Sequence, residues 1–229
     1  MSFVSINVRA DDEGLAELRQ LGARTVPVVA RGKQWVDGQS VEKLASFVGV
    51  EWAHVQLAPV DLALRVVTVL EAAQRLLAKL PEDKLLLQLP MLKKRPRSYG
   101  ALAAHIASII EAFLDLMEKD KPLKDNGLDG IVPPHIKSRA DLIKFVGDIQ
   151  SRFEQWWASN GSSADFDANA DVHYGVQTRH DYFERSAWHA AQHTRQLQHA
   201  LQLLGITLDR PLTAQDLSGL PLPKSVFDE

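Results

Sequence analysis

Over residues 57–205 the apolar side chains recur at intervals of three and four, in four long runs separated by clusters of proline, glycine, serine and asparagine. That spacing lines one face of an α-helix. The first run carries Leu62, Val66, Val69, Ala73, Leu76 and Leu80 on one stripe and stops before Pro81, which predicts a helix from Pro59 or Asp61 to Leu80. A second begins after Ser98, a good N-cap, with the stripe Leu102, His105, Ile109, Phe113 and Leu116. Beyond a long connection over 120–138, which holds Gly127, Gly130, Pro133 and Pro134, a third helix is expected over 140–159, with Leu142, Phe145, Ile149, Phe153 and Trp156 inward. A loop rich in Asp and Asn follows, and Thr178 with Asp181 three positions later makes a capping arrangement for a fourth helix ending at Gly205. Four such helices must bury their stripes against one another. The expected fold is mainly α, an up-and-down four-helix bundle with a long middle crossover.

The first fifty residues have a different texture. Alternation over 3–8 suits a strand, and 12–21 shows helical spacing ended by Gly22. Thr25 to Val29, entered through a proline, reads as a second strand, and Gln34 to Val36 as a third. Asp37 and Gly38 make a turn before a helix capped by Ser40 and running to about Val48. The order β-α-β-β-α predicts a small α/β unit over 1–50. The division expected is thus 1–50, 57–205 and a tail over 206–229, whose Pro211, Pro221 and Pro223 suit an irregular strap.

Composition narrows the possible partners. Lys+Arg 26 against Asp+Glu 29 gives a formal charge of -3, so no global positive field draws in nucleic acid or an anionic membrane. The basic cluster Lys93, Lys94, Arg95 and Arg97 is short and reads as a solvated loop. Charges interrupt the longest apolar stretches, and the N-terminus lacks the pattern of a signal peptide, so a cytoplasmic location with no membrane contact is expected. There is no cysteine, so any bound metal must be held by nitrogen and oxygen, and any sulfur chemistry needs an external thiol.

The fourth helix is the informative one. Its inward positions read Tyr182, Ser186, His189, His193, Gln196, Ala200 and Leu203, a stripe with two imidazoles in its middle. Leaving such groups buried and unpartnered costs on the order of 1–3 kcal/mol each. Residues four apart on a helix share a face at about 5–6 Å, close enough to hold one ion. His189 and His193 form an H-x-x-x-H pair, with Ala190 standing where a zinc protease helix carries its glutamate base. His105 is the one histidine on the other three stripes and qualifies as a third ligand, the other reading being core histidines that only hydrogen-bond. His54, His135, His173 and His180 fall in linkers or at helix edges, and His199, six residues after His193, faces away. Tyr182, Ser186, Gln192 and Gln196 lie close enough to orient a substrate, although helix packing would use them equally well.

Two stretches carry a family resemblance. Arg97-Ser98-Tyr99-Gly100-Ala101-Leu102-Ala103-Ala104-His105-Ile106 resembles the start of the second helix of DinB-like proteins. The run from Trp188 through His189, Gln192, His193, Gln196 and Leu197 resembles their closing H-x-x-x-H-x-x-Q-L helix. The resemblance implies a four-helix bundle, a metal site at His105, His189 and His193 holding zinc, nickel or a similar divalent ion, and a homodimer. Known activities in that superfamily include thiol-dependent isomerases and transferases.

The N-terminal unit resembles the later part of a glutaredoxin, a thioredoxin fold. Arg24, Thr25, Val26 and Pro27 match the loop whose proline is cis in that family, and Asp37, Gly38, Gln39 and Ser40 stand at its later turn. The resemblance implies either thiol binding by Thr25, Val26, Pro27, Gln39 and Ser40, with glutathione as the ligand, or a purely structural remnant. The opening strand and the C-x-x-C helix of that family are missing, which leaves a truncated remnant without redox chemistry. The function expected is therefore a metal-dependent, glutathione-type thiol-dependent isomerase or transferase acting on a small molecule. The alternatives are a non-catalytic metal or ligand sensor and a metal-hydroxide hydrolase.

Overall fold

The computed structural model describes residues 3–8, 10–23, 26–38, 41–92, 96–121, 132–172 and 175–227. The chain divides into two units, Met1–His54 with His173–Gly175, and Val55–Val172 with Val176–Glu229.

The first unit contains α1 (Asp12–Gln20), β1 (Val28–Arg31), β2 (Gln34–Asp37) and α2 (Val41–Val48). The Asp11 carboxylate caps α1 by accepting from the Gly14 N–H at 2.9 Å. β1 and β2 pair antiparallel, with Val28 opposite Asp37 and Arg31 opposite Gln34. The Trp35 indole donates to the Leu21 carbonyl at 2.7 Å, and the Val26–Pro27 peptide bond is cis. The strand expected over 3–8 does not form. Phe3 and Val4 are 85% and 86% exposed, and among the described residues the β1–β2 sheet has two strands, neither of which pairs with this segment. The order is α-β-β-α. Of the residues read as thiol-binding, Val26 and Pro27 are exposed, while Thr25, Gln39 and Ser40 lie outside the described residues.

The second unit is built on α3 (Pro59–Lys79), α4 (Tyr99–Lys119), α5 (Arg139–Asn160) and α6 (Arg179–Leu203). Sequence signals at the helix starts are realised as hydrogen bonds. Ser98 Oγ accepts from the Ala101 N–H at 3.1 Å, and Thr178 with Asp181 forms a reciprocal capping box on α6. Ser138 and Asp141 form the same box on α5, at a start that the sequence pattern had not marked as capped. After α6, Gly205 takes a φ of +75°, a conformation that suits a residue without Cβ at a helix end. By length and composition α4 is apolar enough to cross a membrane, yet most of it is buried against the other three helices.

Helix directions follow from which ends meet. Phe113 stacks on Phe183 at 4.4 Å between ring centroids, and the Tyr99 hydroxyl reaches the Ala200 carbonyl at 3.5 Å, so α4 and α6 run antiparallel. Gln74 pairs with Gln150, and Arg139 donates to the Leu80 carbonyl at 2.7 Å, so α3 and α5 are antiparallel as well. His180 at the start of α6 lies 2.8 Å from the Leu57 carbonyl just before α3, which gives those two the same direction. It follows that α4 and α5 are parallel. The expected up-and-down order is thereby corrected to up, down, down, up. The cause is the long connection after α4, which gives the chain length enough to return to the starting end before α5 begins.

Two inward positions also need correction. Leu203 is 64% exposed, with Leu197 and Leu201 buried in its place, and Phe145 is only half-buried beside His135 while Val146 is fully enclosed. Between α5 and α6 the chain forms β3 (Asn169–Val172) and β4 (Gly175–Thr178), where a loop was expected. The tail is irregular and docks firmly. Leu212, Leu217 and Leu220 are buried, and Gln198 exchanges two hydrogen bonds with the Leu212 backbone, at 3.1 and 2.6 Å.

Candidate metal centre

The antiparallel register of α4 and α6 fixes what meets in the middle. With Phe113 facing Phe183 at one end and Tyr99 facing Ala200 at the other, His105 falls opposite His189 and His193. Each of the three offers a ring nitrogen, and these atoms all lie within 4.8 Å of one another. The ring centroids of His105 are 5.3 Å from those of His189 and 4.8 Å from those of His193. His189 Nε2 and His193 Nε2 stand 3.0 Å apart. His105 is buried at 4% exposure, and His189 and His193 are half-buried as whole residues.

Electrostatics favour neutral rings. Burial pushes the His105 imidazole down to about 2, with His193, Arg97 and Arg185 acting in the same direction. Burial likewise carries His189 well below its ordinary range, again with help from His193, Arg185, His105 and Arg97. For His193 burial dominates and sets the value at about 4, although the hydrogen bond to Gln196 opposes it. Neutral imidazole is the form that donates a lone pair to a metal. The site also has an unmet polar demand, because His105 Nδ1 and His189 Nδ1 are buried without a hydrogen-bond partner. Three nitrogen donors with no thiolate suit zinc, nickel or a similar divalent ion. The residues fit such an ion.

The remaining histidines stay apart from this cluster. His54 lies by Trp52, His135 by Phe145 and His180 by the Leu57 carbonyl, while His199 is exposed beside Phe227; His173 lies outside the described residues. Three of the four polar side chains named for substrate orientation, those of Ser186, Gln192 and Gln196, are engaged within the protein. Ser186 donates to the Tyr182 carbonyl at 2.8 Å, and Gln192 and Gln196 bond to the C-terminal strap. The charges of Arg97 and Arg185 act on the imidazoles, which the sequence pattern alone does not show. Arg97 reads as part of a solvated loop; Arg185 stands four residues before His189, and the spacing 185, 189, 193 is a usable signal. Cavities of about 440 and 550 Å³ lie under the strap and beside the ends of α3 and α5, and the three histidines line neither.

A family model of the DinB superfamily matches residues 65–197. That span exceeds half of the chain and contains all three histidines, and the protein belongs to the DinB superfamily. DinB-like proteins bind divalent metals. Among curated proteins no significant match was found.

Proposed function

We propose that this is a metal-dependent protein that uses an external thiol of the glutathione class to isomerise a small molecule or transfer a group to it. The observation that carries the reading is the convergence of three neutral imidazoles from two helices. The packing of the four long helices supports a DinB-type bundle around that centre. A divalent ion held by neutral nitrogens keeps its full charge and open positions, and supplies the acidity that lowers the pKa of a thiol or water and polarises a carbonyl.

The chain's own residues do the rest. His105, His189 and His193 hold uncharged lone pairs at neutral pH. Arg97 and Arg185 add positive charge near the imidazoles, which favours an anionic thiolate or carboxylate there. Tyr182, whose hydroxyl burial raises to about 12, stays protonated as a donor. With no cysteine in the chain, the thiol comes from solution. We read the N-terminal unit as a truncated glutaredoxin-like segment, and Thr25, Val26, Pro27, Gln39 and Ser40 as its contacts to glutathione.

The test is turnover by metal-loaded protein given glutathione with a panel of electrophiles and cis-enone acids. Thiol-dependent product that disappears in His193→Ala supports the reading. A flat response across the panel, with metal still bound, contradicts thiol chemistry. It would favour the second reading, a protein that holds metal without turnover.

A further inference from the structure

His193 is the one ligand candidate among the three whose second ring nitrogen has a protein partner among the described residues. Its Nδ1 lies 2.7 Å from Gln196 Oε1, whereas the Nδ1 atoms of His105 and His189 are buried without one. Gln196 is itself fixed from the far side, since its Nε2 donates to the Val226 carbonyl at 3.1 Å. A carbonyl only accepts, so the amide end facing Val226 must be the NH2, and the end facing His193 must be the oxygen. That oxygen also only accepts, so Nδ1 carries the proton. The lone pair is thereby left on Nε2, the atom that faces His189 Nε2.

The strap that supplies the last carbonyl is held by α6 itself. Arg195 donates to the Pro223 and Lys224 carbonyls at 2.9 and 3.3 Å, and Gln192 donates to the Val226 carbonyl at 2.7 Å. Arg195 also donates to Gln192 Oε1 at 2.7 Å, so the two side chains that clamp the strap are locked to each other.

We propose that Gln196 is a positioning residue of the metal centre and that the C-terminal strap acts through it. Docking of Val226 orients the Gln196 amide, the amide fixes the His193 tautomer, and the tautomer presents a lone pair to the ion. Strap docking and metal binding are then coupled, each favouring the other. This rests on the metal-centre reading above.

Zinc affinity, measured by competition with a chromophoric chelator, tests it in wild type, Gln196→Leu, a chain ending at Pro223, and the two changes combined. Each single change is expected to weaken zinc binding about 10–100-fold, and the combination to weaken it no further than the stronger single change, because both break one relay. Nitrogen NMR of the metal-free imidazoles gives a second readout that a merely structural role would leave unmoved. It should find His193 protonated at Nδ1 alone in wild type and as a mixture in Gln196→Leu. Unchanged zinc affinity in Gln196→Leu, or multiplying losses in the combined variant, overturns the relay while leaving the metal centre intact. Wild-type protein that binds no zinc overturns both.

Discussion

His193 and His199 lie six residues apart on one helix, and that phase difference separates a ligand candidate from a surface residue. One ring sits within the three-imidazole cluster; the other is exposed beside Phe227. His193→Ala is therefore expected to abolish metal retention and His199→Ala to preserve it, as read by elemental analysis of each variant after gel filtration. Equal loss from both would mean that the phase of α6 is misassigned. The three imidazoles were legible because helical period alone decides which residues share a face. The role of Gln196 was not, because its deciding partner, the Val226 carbonyl, lies 30 residues away in irregular chain that has no period to read. The effect of Arg97 is hidden in the sequence for a related reason: its neighbours are basic loop residues, and only the fold brings its charge near the histidines.

Among elements, the contact of α4 with α5 is tied by ions as well as by Phe113, Phe153 and Trp156. Arg152 of α5 donates to Asp115 at 2.8 Å and to Glu118 at 2.6 Å, both on α4. Burial pushes the Asp115 carboxyl up, but hydrogen bonds from Lys119 and Arg152 outweigh it and hold the group at about 2. A carboxyl depressed in the folded state stabilises at pH values above its unfolded pKa, near 4, and that contribution is lost as pH falls through about 2. Asp115→Asn should therefore cost about 1–2 kcal/mol at pH 7, with partial exposure limiting the figure, and the gap from wild type should narrow between pH 4 and pH 2 in denaturant melts. A gap that persists at pH 2 would assign the loss to packing. The helix starts at Ser98 and Thr178 were readable from local capping chemistry, whereas the α4–α5 link depends on helix register, which local sequence does not carry. The strand over 3–8 shows the opposite failure, since alternation without a pairing partner makes no sheet. In β3 the same alternation does mark a strand: Ala170 and Val172 are buried while Asn169 and Asp171 are exposed.

For the molecule as a whole, the long α4–α5 connection decides the topology, the antiparallel register of α4 and α6 decides which histidines meet, and the strap closes over α6 near one of them. Four helices and their inward faces could be read from period. Their directions could not, because amphipathic stripes bury equally well in either sense and only the length of the connection hinted at a parallel pair. An ion held by imidazoles from α4 and α6 is tested most directly by metal content and metal-edge X-ray absorption on protein purified without an affinity tag. The expected result is about one equivalent of a divalent ion with three imidazole nitrogens at about 2.0–2.1 Å if it is zinc. Less than about 0.2 equivalents, with a melting temperature that chelation leaves unaltered, would contradict it.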